Sequence, residues 1–256
     1  MKISKIIHQI WFQGEDNIPP NLLEYHNTWI NINPDYKIIV WDQIKIENLV
    51  NKQDKWIKET YFFYSKMIQK IDFAKYVILY TYGGIYMDMD IKCIQSLNNT
   101  PNIADSDIIL SNMETYLFQK ITISFIMQKY IMSDYINNGT IMCVPKTELM
   151  LLTMKEASQR KNLPDFFNGF HVFYTTGPLC LTIAYHKIKK NTNKIHILDK
   201  SYFENCNLFE LKNNTCEIPT NAIGMHYYAN GWTSKKEKFV TNLISLIIKY
   251  WYIILV

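Results

Sequence analysis

A helical run over residues 66–82 halts at Gly83-Gly84, and the chain restarts at once as the extended segment GIYMDMD. Paired glycines make a hard stop, because the residue after a helix often turns left-handed and only glycine does so without strain. The motif therefore sets a strand directly after a helix and ends that strand in Asp88-Met89-Asp90.

Side chains alternate along an extended segment, so Tyr86, Asp88 and Asp90 are expected on one side and Ile85, Met87 and Met89 on the other. The apolar row can pack inward. The two carboxylates, roughly 7 Å apart between α-carbons by strand rise, repel each other unless a cation or a donor-rich ligand lies between them. A divalent ion that also holds a diphosphate satisfies both. On the preceding helix, Asp72 and Lys75 lie three apart and share a face directed toward this strand. Taken alone they read equally well as a solvated ion pair of little worth, and a lone D-x-D is common in turns and edge strands.

The combination is more specific. KIIHQIWFQG near the start, NPDYKIIVWD, the central D-x-x-K-Y-x-x-L-Y-x-x-GG-I-Y-x-D-x-D block and a later TTGP resemble the DXD-containing glycosyltransferase family of yeast-type initiating α-1,6-mannosyltransferases and inositol-phosphoceramide mannosyltransferases. The large glucosylating toxins resemble this core more distantly. The resemblance runs from about Ile3 to Trp232. It implies that Asp88 and Asp90 bind Mn²⁺ or Mg²⁺ and the ribose and diphosphate of a nucleoside diphosphate sugar, and that Asp72 helps to hold that donor. Lys75 stands where the family usually has arginine. Lysine keeps the positive charge, as a second catalytic contribution beside Asp88 and Asp90, but loses the planar two-pronged grip on phosphate. The only arginine is Arg160, so the substitution also fits a lysine-biased composition.

Toward the other end, His226 and Trp232 in AIGMHYYANGWTS resemble the family's closing pair, with His226 completing the metal shell or touching the diphosphate and Trp232 lying over it as a lid element. Read without the resemblance, they are a half-buried strand histidine and a core anchor. His8 and Trp11 sit at the end of an apolar strand, KIIHQIW, of the kind buried in a parallel sheet. Ligands of such sheets bind outside the carboxyl ends of the strands, which makes both residues, and Trp41-Asp42 after KIIV, candidates for the nucleotide. Asn138, ahead of the apolar TIMCV, and Gly177 of TTGP, ahead of a helix that Pro178 can open, are candidate lining for the sugar or acceptor, or else an ordinary turn and helix cap.

The expected elements are strands near 5–11, 37–41, 85–91, 107–111, 140–144 and 195–198, and helices near 20–31, 43–60, 66–82, 147–160 and 178–190. This alternation argues for an α/β fold, a mostly parallel sheet with helices on both faces. The resemblance makes it the GT-A type, a nucleotide-sugar-binding fold around a mixed sheet, over residues 1–235. A net charge of +4 with scattered lysines gives no nucleic-acid footprint, and 48% apolar residues argue against disorder. Five cysteines without C-x-x-C spacing read as mostly buried free thiols. The pattern begins at Ile3, which leaves no room for a signal peptide, so the expected location is the cytoplasm or the cytoplasmic face of a membrane. The nearly all-apolar run over 243–256, within a tail spanning 236–256, is too short to span a bilayer. It reads as a packed helix or a peripheral membrane contact behind Lys235, Lys236 and Lys238.

The chemistry these expectations define is metal-assisted, retaining transfer of a sugar to a hydroxyl on a glycan, lipid or protein. The rivals are a metal-dependent phosphohydrolase acting on nucleotide sugars and a non-catalytic nucleotide-sugar-binding relative.

Overall fold

The structure, a computed structural model, describes residues 2–113, 134–164, 168–188 and 194–229. Trp232 and the tail over 236–256 lie outside the described residues. Strands β1 (Ile6–Ile10), β2 (Lys37–Trp41), β3 (Gly84–Met87), β5 (Ile108–Asn112), β6 (Ile136–Cys143) and β7 (Ile195–Leu198) form one sheet in the order β2-β1-β3-β6-β5-β7. β1 runs parallel to β2 and β3, β5 runs parallel to β7, and only β6 runs against its neighbours. The sheet is thus mixed and mostly parallel. A small second sheet, absent from the sequence expectation, pairs β4 (Ile91–Cys93) with β8 (Gly224–His226) antiparallel.

Strand alternation sends apolar residues to both faces, so both must be covered. Tyr86, Ile108, Leu110 and Ile141 face a core built with α2 (Gln43–Val50), α3 (Lys55–Phe63), α4 (Met67–Tyr82), α5 (Glu148–Arg160) and α7 (Pro178–Lys187). Ile85, Met87, Ile109 and Met142 face the other core, closed by Trp29 of α1 (Pro20–Ile32) and by Ile91 and Cys93 of β4. Trp29 also ties the layers together, donating its indole N–H to the Ile91 carbonyl at 2.7 Å.

The junction of α4 and β3 is as tight as the sequence demands. Gly83 and Gly84 have φ of 64° and 96°, and a Cβ on Gly83 would fall 2.6 Å from the Pro145 nitrogen. Elsewhere the expected elements shift. The helix expected over 43–60 is two, α2 and α3, because the polar Asn51-Lys52-Gln53-Asp54 interrupts the apolar stripe. Strand β6 begins at Ile136 rather than near 140, which draws Asn137 and Asn138 into the sheet. A helix that was not expected, α6 (Asn168–Thr175), runs into the first threonine of TTGP, and the expected helix over 178–190 is α7, ending at Lys187. The strand expected over 85–91 ends at Met87.

Cys93, Cys143 and Cys180 are buried free thiols, as expected. Cys206 and Cys216, whose separation matches no motif, are instead disulfide-bonded across the short helix α8 (Leu208–Asn213), with α-carbons 5.6 Å apart. Structural disulfides are rare in reducing compartments, so this bond pulls against the cytoplasmic expectation. Among the described residues no helix is long and apolar enough to cross a membrane.

Candidate active site

Asp88-Met89-Asp90 does not continue the strand. The chain folds into a turn after Met87, closed by the Ile91 N–H donating to the Asp88 carbonyl at 3.2 Å. The simple alternation across all five residues from Tyr86 to Asp90 is therefore corrected. Tyr86 and Asp88 do share a side, since the Tyr86 hydroxyl donates to Asp88 Oδ1 at 2.7 Å. Met89 leaves the core of Ile85 and Met87 and packs with Ile18, Leu22 and Val40.

The pairing of β4 with β8 supplies a third group. Ile91 lies opposite His226, which sets the imidazole beside Asp90, with Nε2 3.3 Å from Asp90 Oδ1. One donor atom from each of Asp88, Asp90 and His226 lies within 4.8 Å of the others. At that separation two carboxylates repel by about 3 kcal/mol at an effective dielectric of about 20. Asp90 is partly relieved by the Ala229 N–H, which donates to Oδ2 at 2.8 Å. Burial opposes charge on both partners, but the Asp90 carboxyl is nevertheless held below its usual range by His226 and by backbone N–H groups. Burial likewise pulls His226 down, and the facing carboxylates of Glu204 and Asp90 outweigh it and hold the imidazolium well above the usual histidine range. Two carboxylates and an imidazole form a donor set suited to Mn²⁺ or Mg²⁺ once an incoming ion displaces the imidazolium proton on Nε2.

Behind this donor set lies a buried network. Lys75 is not the solvated partner of Asp72. Its ammonium is 3.1 Å from Asp72 Oδ1, 3.3 Å from Asp88 Oδ1 and 3.3 Å from the Asn138 carbonyl, and both Lys75 and Asp72 are buried. Those three acceptors match its three N–H donors, and the Tyr86 ring lies 4.6 Å away as a fourth neighbour. Burial disfavours its charge, yet the aspartates on either side hold the ammonium above the usual lysine range. Asp72 also accepts from Asn138 Nδ2 at 2.9 Å and from the Thr176 hydroxyl at 3.1 Å, and burial lifts its carboxyl above the usual range against the pull of Lys75.

The sequence candidates thus separate. Asp88, Asp90 and His226 converge, and Asp72, Lys75 and Asn138 form the support beneath Asp88, with Thr176 of TTGP reaching Asp72. Gly177 precedes α7 and serves as its N-terminal residue. Trp11, half-buried, packs on the cluster that contains Met89 and donates its indole N–H to the Asn17 carbonyl at 2.9 Å. His8 stands apart: its Nε2 lies 3.0 Å from the Gly83 carbonyl and its Nδ1 accepts from the Trp41 indole at 3.1 Å. Burial lowers its pKa to about 4, opposed by the bond to Gly83, so the ring is neutral near pH 7. With both nitrogens engaged it holds the glycine junction instead of offering a hydrogen bond to a nucleotide. Trp41 is its partner, and Asp42 caps α2 by accepting from the Lys45 N–H at 2.7 Å. Glu204 and Tyr228 went unnoticed in the sequence, and no motif marks either one.

Gly139 adds a steric requirement. Its carbonyl accepts from the Asp88 N–H at 2.9 Å, and a Cβ there would fall 2.7 Å from Asp88 Oδ2, the carboxylate oxygen that faces away from Lys75. Gly139→Ala is expected to displace that oxygen and to cut transfer about 100-fold. The melting temperature should fall by less than about 10 °C. Steady-state kinetics beside thermal melts check this, and an alanine variant at full rate would show that Asp88 can be moved without consequence.

The sheet order, the turn-borne aspartates and the facing histidine are those expected of a glycosyltransferase of the GT-A type. The family described as a glycosyltransferase sugar-binding region containing a DXD motif matches residues 19–107. An uncharacterized glycosyltransferase of Acanthamoeba polyphaga mimivirus is 31% identical over 214 residues, covering 82% of this chain and 76% of that protein. With that breadth of agreement, the chain belongs to this DXD-containing glycosyltransferase family, as the sequence resemblance implied. Inositol phosphoceramide mannosyltransferase 1 of Schizosaccharomyces pombe is 35% identical over 116 residues, 44% of this chain, and the match spans only 35% of that enzyme. Mouse xyloside xylosyltransferase 1 shares the fold at a TM-score of 0.55 over 89% of this chain and 99% of its own, with 10% identity.

Proposed function

We propose that this glycosyltransferase moves a sugar from a nucleoside diphosphate donor to a hydroxyl acceptor with retention of configuration, using Mn²⁺ or Mg²⁺ held by Asp88, Asp90 and His226. The observation that carries the reading is the approach of these three donor atoms to within 4.8 Å of one another, two from the turn between β3 and β4 and one from β8. A divalent ion bound there supplies charge neutralisation for the departing diphosphate.

The chain's own residues prepare that chemistry. Tyr86 and Lys75 both engage Asp88 Oδ1, which leaves Oδ2, beside Gly139, as the oxygen that neither of them holds. The Ala229 N–H does the same for Asp90, leaving Oδ1 toward His226. Lys75, fully occupied by protein acceptors, contributes as a positioning residue through Asp88 rather than by gripping phosphate. This accounts for a lysine at a position where the family usually has arginine: three separate acceptors suit a compact ammonium better than a planar fork. Half-buried Trp11 is the residue proposed to meet donor or acceptor, whereas Asn138, buried against Asp72 and Lys75, supports Asp88 from beneath.

The names of the inositol phosphoceramide mannosyltransferases and of the initiation-specific α-1,6-mannosyltransferase of Candida albicans make a mannosyl donor the first to test. The acceptor class remains a glycan, a lipid or a protein. Incubation with a panel of GDP- and UDP-sugars, with Mn²⁺ or EDTA and with or without acceptor, is expected to show metal-dependent consumption of one donor that rises at least tenfold with acceptor. Acceptor-independent release would point to a phosphohydrolase, and binding without turnover to a non-catalytic relative. Either result would overturn the transfer reading.

A further inference from the structure

His226 can present only one of its two nitrogens to the aspartates, and the groups on its other side decide which. Glu204, itself buried, accepts from His226 Nδ1 through Oε1 at 2.8 Å. Its second oxygen, Oε2, accepts from the Tyr228 hydroxyl at 2.6 Å. The Tyr228 ring in turn stacks on the His226 ring, with centroids 4.1 Å apart and planes 26° from parallel. To lie there Tyr228 adopts φ of 47°, a left-handed conformation that is unfavourable for a non-glycine residue. Such strain persists only where surrounding contacts enforce it.

The loop that carries Glu204 is fastened to the strand that carries His226. The Ile223 N–H donates to the Tyr202 carbonyl at 3.0 Å, and Asn205 Nδ2 donates to the Gly224 carbonyl at 2.8 Å. Glu204 is further held by its own N–H, which donates to the Lys200 carbonyl at 2.7 Å. The imidazole is therefore gripped on one edge by a carboxylate and on one face by a phenol ring. Its free edge, Nε2, points toward Asp90.

We propose that Glu204 and Tyr228 are a positioning pair that fixes His226 with its proton on Nδ1 and Nε2 turned toward Asp88 and Asp90, and so sets the affinity of the site for a divalent cation. Carboxylates that accept from the far nitrogen of a ligating histidine lock its orientation and raise its basicity, and their loss typically weakens metal binding 10–100-fold. This inference rests on the metal reading above.

The test is a titration of the protein with Mn²⁺ alone, counting free ion by its electron paramagnetic resonance signal. Glu204→Gln keeps the shape but loses the charge, and it is expected to weaken Mn²⁺ binding about tenfold. Its melting temperature without metal should stay within a few degrees of the parent. Tyr228→Phe, which removes one hydroxyl and keeps the stacked ring, is expected to lose a smaller factor, roughly threefold. In a His226→Ala background, Glu204→Gln should cause no further loss, because residues that act as a unit are not additive. Unchanged binding in both single variants, or an undiminished further loss in the His226→Ala background, would overturn the role of Glu204 while leaving the metal site standing. A parent protein that binds no Mn²⁺ would overturn the metal reading itself.

Discussion

Asp88→Asn and Asp90→Asn are each expected to lower the transfer rate by at least about 10³-fold while the protein stays folded. An amide offers one neutral oxygen where the carboxylate offered a charged one, and the site depends on charge. Losing a bound divalent ion removes several kcal/mol of transition-state stabilisation, and each 1.36 kcal/mol is tenfold in rate. The fold should tolerate the change for a physical reason. The two carboxylates and His226 converge within 4.8 Å, and both aspartates are partly open to solvent, so neutralising one relieves repulsion without stranding a buried charge. Single-turnover kinetics with saturating Mn²⁺, beside circular dichroism melts, check both halves. Near-parental rates in both variants would remove the metal site from the mechanism.

Lys75→Met is expected to cost about 3–5 kcal/mol of stability, because removing one partner of a buried ion pair leaves the other charge uncompensated. For a chain of this size that corresponds to a fall in melting temperature of roughly 10 °C. The expectation follows from burial: Lys75 touches two carboxylates and a carbonyl, and the Lys75 and Asp72 side chains are only 2% and 6% exposed. Adding Asp72→Asn to the same chain removes the stranded charge and should recover about half of the loss. The pair of variants separates an interior counter-ion from a residue that only contacts substrate. A Lys75→Met protein that melts like the parent but has lost activity would mean that the ammonium serves the donor directly.

These two results bear on different parts of the sequence reading. The aspartates were legible as metal-binding candidates because two carboxylates at short spacing after a glycine stop are chemically unusual. Asp72 and Lys75 were legible as a pair sharing a helix face, but not as an interior pair, since a spacing of three residues is the same on a wet face and a buried one. Asn138 was read as part of a turn before a strand, whereas β6 begins earlier and carries it against Asp72. His8 was read as facing a ligand, because its place at the end of an apolar strand does not disclose that the Gly83 carbonyl and the Trp41 indole already occupy its nitrogens.

The residues alone determined the elements whose causes are local: the glycine stop between α4 and β3 and the alternation that buries both faces of the sheet, whereas the turn that carries Asp88 and Asp90 was read as strand. Backbone chirality, side-chain alternation and the special freedom of glycine act over a few residues, so a short window carries them. Which groups meet at the site was decided only by the fold. The register of β4 on β8 brings His226 to Asp90, a loop fastened to that strand brings Glu204 to His226, and the layering of α4 against β6 closes acceptors around Lys75. Those contacts depend on long-range strand pairing and on the packing of layers, which no local spacing of residues encodes.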